Sequence, residues 1–257
     1  MRIARIAHPH GTDHAVVEAD CYRLVSDVFA DEIRCQDRWV PLADARLLAP
    51  VVPRTVVGMA HNTGPSDRLL PPQAFLKPAR SVIGPGDPVP VPAHLGLVHA
   101  EAELAVVIGR DAAGVSEADA PATVLGYTVA NDITGRDLQA EDSLWTRAKG
   151  QRGFTPLGPW IETELDAADA LVGLAVDGAS APQASTAHLA RSVAEVVAWV
   201  SSFLPLGPGD VILTGAPGKS LPIRSGQDVR VSVAGIGSLG NPVVDGIRDR
   251  RTDRGAA

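Results

Sequence analysis

The chain has 257 residues, 45% of them hydrophobic and only 4% aromatic, with 25 glycines and 21 prolines. That length allows one large domain, or a large domain with a small appendage, and the glycine and proline content calls for many turns between short strands. A net charge of −7 excludes the concentrated basic surface that nucleic acid requires, and no apolar run approaches the ~18 residues of a membrane span. The first ten residues lack the long apolar segment of a secretory signal, and Cys21 and Cys35 have no CxxC spacing. A soluble, reduced, cytoplasmic protein is the expectation.

Residues 1 to about 50 alternate short strand-like runs, Arg2 to Ala7, His14 to Glu18 and Cys21 to Val25, with polar turns. They read as a small N-terminal domain, residues 1–53. His8, His10 and His14 invite a metal reading, but the Pro9 and Gly11 between them mark a turn, and solvated loop histidines are far commoner. From Thr55 the character changes. Val56 to Ala60 is an apolar strand that ends in the polar run His61-Asn62-Thr63-Gly64-Pro65-Ser66-Asp67, well placed for a site. Phe75-Leu76-Lys77-Pro78 follows.

The centre of the chain is the stretch Glu101 to Asp132. Leu104 to Ile108 is short, rich in β-branched residues and closed by Gly109, which predicts a buried strand. Residues i and i+2 of a strand share a face, so Glu101 and Glu103 project to one side. Alone, such a pair reads as two solvated acids. Asp132, at the end of a second apolar strand from Val124, adds a third, and three crowded carboxylates near a core call for a hard divalent cation. Beyond it, Arg136 and Gln139 follow Asp132 at spacings that place all three on one helical face, and Lys149 brings another positive charge.

Further on, Ser185 to Leu204 predicts the longest helix, with Leu189, Val193, Val196, Val197, Val200 and Phe203 at a period near 3.6 and His188 in a structural role. Val211 to Gly218 predicts a strand ending in Thr214-Gly215-Ala216-Pro217-Gly218, whose backbone N–H groups and hydroxyl suit an anionic ligand. Two last strands close the fold, and residues 246–257 read as a flexible tail.

In this order, Phe75-Leu-Lys77-Pro78, Glu101-Ala-Glu103, Gly126 to Asp132, Arg136-Asp-Leu-Gln139, Ala148-Lys149-Gly150, Pro156-Leu-Gly-Pro-Trp160 and Pro208 to Gly215 resemble the fumarylacetoacetate hydrolase family. The resemblance implies an α+β, mostly β fold: a mixed β-roll catalytic domain with short helices over residues 54–245, dimeric in the usual case. It implies Mg²⁺ or Mn²⁺ held by Glu101, Glu103 and Asp132, and a small-molecule 2-oxo or 2,4-dioxo acid as substrate. Lys149, His61 and Thr214 become the catalytic candidates; Arg136, Gln139, Lys77 and Gly215 become the substrate-binding ones. C–C bond hydrolysis is the first expected reaction, with isomerisation or tautomerisation, hydration and decarboxylation as alternatives that pass through the same enolate. A metal- or ligand-binding relative without catalysis is the non-enzymatic alternative. One departure bears on this choice. Hydrolytic members activate water with a histidine and a glutamate three residues on, and the positions matching that pair are Gly64 and Asp67. His61, three residues earlier, is the proton carrier left at that strand end.

Overall fold

The computed structural model describes residues 1–246. Its largest sheet runs, in spatial order, Cys35–Pro41, Cys21–Val25, Gly11–Val17, Arg2–His8, Thr155–Glu162, Val124–Asn131, Ala102–Ile108, Val211–Leu213, Val56–Ala60 and Gln73–Lys77. The first four strands form an antiparallel meander that joins the rest through Arg2–His8, where Ile3 faces Ile161. The N-terminal segment therefore extends the main sheet edgewise while keeping a cluster of its own around Ile6, Tyr22, Leu24 and Val40. The histidines there are spent locally: His8 Nε2 lies 2.9 Å from Asp13, and His14 Nε2 lies 3.0 Å from the Pro50 carbonyl.

Ala102–Ile108 is buried on both faces along its whole length, as a central strand should be. Its alternation sends Leu104 against a second sheet (Leu171–Val176, Asp228–Val233, Gly237–Asp245), while Ala105 and Val107 pack with Ile3, Val56 and Leu157. Asp228–Val233 shows the complementary pattern. Val229, Val231 and Val233 are buried while Asp228 and Arg230 are exposed, so one face meets the core and the other meets solvent. Mixed pairing appears where Val211–Leu213 runs parallel to Val56–Ala60 and antiparallel to Ala102–Ile108.

Among the described residues three short α-helices decorate the sheets: α1 (Arg136–Glu141), α2 (Thr146–Lys149) and α3 (Val193–Ser201). The helix expected over Ser185 to Leu204 is thus shorter at both ends. It starts late because Ser192 and Glu195 form a reciprocal capping box. Just upstream, the Arg191 N–H is spent on Asn62 Oδ1 at 2.6 Å, which holds that segment extended toward another loop. Val196, Val197 and Val200 face the core as expected. Leu189 lies outside the helix, Phe203 is exposed, and His188 closes a 3-10 turn over Thr186–His188. Among the described residues no helix is long and apolar enough to cross a membrane. Of the expected tail, residues 247–257 lie outside the described residues.

Candidate active site

Sheet order gathers the site. Glu101 occupies the one-residue break between Val98–Ala100 and Ala102–Ile108. Antiparallel register pairs Ala102 with Asn131, and the Asp132 N–H donates to the Glu101 carbonyl at 2.9 Å. Asp132 therefore arrives beside the two glutamates. Each of Glu101, Glu103 and Asp132 offers a carboxylate oxygen within 4.8 Å of the others, the one such acid, histidine or cysteine group among the described residues. They border a cavity of about 210 Å³ together with His61, Arg136, Gln139 and Lys149. A larger cavity of about 720 Å³, beside the N-terminal end of α3, holds none of these three acids.

The charges are arranged asymmetrically. Lys77 donates to Asp132 Oδ1 at 2.5 Å and Lys149 donates to Asp132 Oδ2, while Lys149 also reaches Glu101 Oε2 at 2.9 Å. Arg136 takes the other Glu101 oxygen at 2.5 Å and bonds Gln139 Oε1 at 2.7 Å. Among the described residues no such cation bonds Glu103. It accepts from the Gly215 N–H at 2.6 Å, and burial together with the charge of Asp132 pushes its carboxyl well above the ordinary carboxylate value. Burial opposes charge at Asp132 too, yet the Lys149 and Lys77 ammoniums hold its carboxyl below the ordinary value. At Lys149 the Asp132 and Glu101 carboxylates outweigh burial and raise the ammonium's pKa; at Lys77 burial prevails and lowers it. An all-oxygen donor set, one of whose buried carboxylates bonds no cation among the described residues, fits a hard divalent cation such as Mg²⁺ or Mn²⁺.

Not every expected site residue reaches the cavity. Lys77 is 2% exposed and lies behind Asp132, so its ammonium supports that carboxylate. Thr214 directs its hydroxyl to the Leu104 carbonyl at 2.9 Å, and Gly215 contributes its N–H to Glu103. Gly215 has a φ of +101°, and a Cβ there would fall 2.3 Å from the Asn62 carbonyl oxygen, so only glycine lets the two loops meet. Asp132 precedes α1 and shares no helical face with Arg136 and Gln139, because the pair Thr134–Gly135 intervenes as a short strand.

Further contacts complete the site. Thr134 donates to Glu101 Oε2 at 2.9 Å; it follows Asp132 by two residues, a spacing that shares a face in extended chain. Phe75 lies under Lys149, ring centroid 4.7 Å from the ammonium, and meets Trp145 edge to face. Phe75 sits there because Gly58 leaves room: a Cβ on Gly58 would fall 2.2 Å from its ring. No local pattern announces that fit.

His61 follows the Val56–Ala60 strand in the left-handed region, with φ +55°. Its Nδ1 lies 3.1 Å from the Pro71 carbonyl. A carbonyl oxygen only accepts, so Nδ1 carries the proton, and the neutral ring keeps Nε2 as its basic nitrogen. Asp67 Oδ2 accepts both the Thr63 N–H at 2.8 Å and the Thr63 hydroxyl at 2.9 Å.

An acid trio with two of its members buried, set in a mixed, mostly β fold, marks a site of hard oxygen ligands. The family comparison agrees. The family model "Fumarylacetoacetate (FAA) hydrolase C-terminal" matches residues 53–244, and the model "Rv2993c-like, N-terminal" matches residues 1–50. The chain belongs to the fumarylacetoacetate hydrolase family. It is 40% identical to Protein Rv2993c of Mycobacterium tuberculosis, over 95% of this chain and 98% of that one. It is 34% identical to the mitochondrial oxaloacetate tautomerase fahd2 of Xenopus laevis, over 77% of this chain and 68% of that one. Among solved structures, 5-carboxymethyl-2-hydroxymuconate delta-isomerase from Mycobacterium smegmatis superposes with a TM-score of 0.91 at 41% identity, covering 95% of this chain and all (100%) of that chain. Maleylpyruvate hydrolase from Sphingobium sp., bound to manganese(II) and pyruvate, superposes with a TM-score of 0.81 at 27% identity, covering 96% and 100%.

Proposed function

We propose that this chain is a divalent-metal-dependent isomerase that interconverts the enol and keto forms of a small 2-oxo acid, oxaloacetate being the first candidate. One observation carries the reaction type: His61 and Asp67, the histidine and the acid of the loop after Val56–Ala60, are bonded to Pro71 and Thr63 rather than to each other, and Gly64 stands at the position matching the water-activating histidine. Gly64 has no side chain to activate water, and the carboxylate of Asp67 is engaged by Thr63. Hydrolysis, the first expectation from the resemblance, loses its water-activating group on this reading. Isomerisation needs only a proton carrier and stabilisation of negative charge. The tautomerase and isomerase names of the Xenopus and Mycobacterium smegmatis relatives support the same choice.

Glu101, Glu103 and Asp132 would hold the Mg²⁺ or Mn²⁺, which when bound supplies a Lewis acid to the chelating oxygens of a 2-oxo acid. The remaining work falls to the chain's own side chains. Arg136 and Gln139, linked on α1, receive the substrate carboxylate. The Lys149 ammonium, fixed between two carboxylates and the Phe75 ring, faces the oxygen on which charge develops. His61 Nε2 takes the proton from the carbon next to the oxo group and delivers it to the enolate oxygen, and in the reverse direction carries it from the enol oxygen back to that carbon, while Nδ1 stays anchored to Pro71. A cavity of about 210 Å³ admits a short acid.

The Mn²⁺-loaded protein, given freshly dissolved enol-oxaloacetate, should speed loss of the enol's ultraviolet absorbance. It should neither release pyruvate from oxaloacetate nor cleave an acylpyruvate. Acylpyruvate cleavage without acceleration of the enol–keto step would restore the hydrolase reading.

A further inference from the structure

His61 adopts a left-handed backbone conformation that few residues other than glycine take, and specific partners hold it there. The surroundings here are one residue and its partner. Arg191, 8% exposed and just ahead of the α3 cap, sends Nη1 to the His61 carbonyl at 2.7 Å and Nη2 to the Leu70 carbonyl at 2.5 Å. Its own N–H donates to Asn62 Oδ1 at 2.6 Å, and Asn62 Nδ2 returns a bond to the Arg191 carbonyl at 3.3 Å and another to the Thr214 carbonyl at 2.7 Å. A guanidinium this buried ordinarily meets a carboxylate. Here its charge is spent on two carbonyls at the two ends of the loop that carries His61, Thr63 and Asp67.

We infer that Arg191 is a positioning residue: together with Asn62 it fastens both ends of the 61–70 loop and holds His61 in its left-handed turn, so that the imidazole faces the acid-lined cavity. This rests on the proton-carrying role given to His61 above. The planar fork of arginine suits the task, since two carbonyls that belong to different parts of a loop are gripped by one rigid group. Arg68 also crosses from the loop to Glu195 and the Ala190 carbonyl. That tie is an exposed ion pair and contributes little. The loop is therefore governed from the segment before α3, 130 residues away in sequence.

The test combines kinetics with amide exchange on the Mn²⁺-loaded protein, using enol-oxaloacetate as substrate. Arg191→Met and Arg191→Lys are each made in the parent and in His61→Gln. Arg191→Met should lower kcat by roughly 10²-fold, the scale of an ångström-sized misplacement of a reacting group. KM and Mn²⁺ affinity should stay near those of the parent. Placed on His61→Gln, it should lower kcat no further, because both changes remove the same contribution. Arg191→Lys keeps the charge but reaches one carbonyl only, and should fall between; it also serves if Arg191→Met does not fold. Hydrogen exchange should quicken in residues 61–70 and stay unchanged in Ala102–Ile108. An equal loss of kcat with and without His61 would overturn the inference, as would unchanged exchange in the loop. Full activity in His61→Gln alone would instead refute the proton-carrier reading, and the clamp would then stand or fall on the exchange data.

Discussion

Glu103→Gln separates what the acid trio does to stability from what it does for a metal. Without a divalent ion, Glu103 is 3% exposed and accepts from the Gly215 N–H, while both lysines serve Asp132 and Glu101. Burial and the neighbouring Asp132 charge push its carboxyl well above the ordinary value, so the folded protein resists ionising it. Glutamine keeps the shape and an acceptor for Gly215 while removing the charge. Relieving an uncompensated buried group is worth on the order of 1–3 kcal/mol. Since ~1 kcal/mol moves Tm by ~2–4 °C in a chain of this size, the metal-free variant should melt roughly 2–12 °C above the parent. The sign of the pH dependence follows. A carboxyl whose folded pKa is raised contributes stability below the unfolded carboxylate range and loses it as pH rises through the folded value, so the variant's advantage should grow toward basic pH. Mn²⁺ should reverse the order, because an ion at 100 times its Kd adds about 2.7 kcal/mol to the parent and less to a variant with a weakened site. Scanning calorimetry of both proteins, in chelator and in Mn²⁺, reads all of this. A variant that melts below the parent in chelator, or gains as much from Mn²⁺, would refute the reasoning.

Three further outcomes follow from the same geometry. Lys77→Met should lower Tm and leave KM nearly untouched, since it strips one of two cations from a buried carboxylate, a loss of about 3–5 kcal/mol; a changed KM at parental Tm would make Lys77 a substrate ligand. Lys149→Met should cut kcat by about 10²-fold or more while substrate still binds; an effect on KM alone would leave the ammonium with a binding role only. At Asp67 burial opposes charge, but the Thr63 N–H and hydroxyl bonds hold the carboxyl below the ordinary value. Its stabilisation is present above the usual carboxylate range and lost as pH falls through the lower folded value, so Asp67→Asn should narrow the gap in Tm between neutral and acidic solution. An unchanged gap would show that the loop draws no stability from this acid.

Much of the site follows from periodicity and register. A two-residue repeat puts Glu101 and Glu103 on one face of an extended segment, and the next antiparallel strand, paired Ala102 to Asn131, delivers Asp132 to the same place. The apolar face of α3 at Val196, Val197 and Val200 is equally plain in its spacing. Partners set by long-range packing were not legible. Lys77 and Lys149 grip opposite oxygens of one aspartate from 55 and 17 residues away, so a lysine expected to meet substrate lies behind the site. The polar end of Val211–Leu213 turns inward, which commits the Thr214 hydroxyl to Leu104 and the Gly215 N–H to Glu103. Arg191, silent in the sequence, stops the expected helix from extending upstream and grips the loop of His61 instead. The physical reason is common to all of these. Local spacing fixes which face a side chain takes, but a charged group's partner depends on which strands and loops become neighbours, and here those neighbours are non-consecutive in sequence.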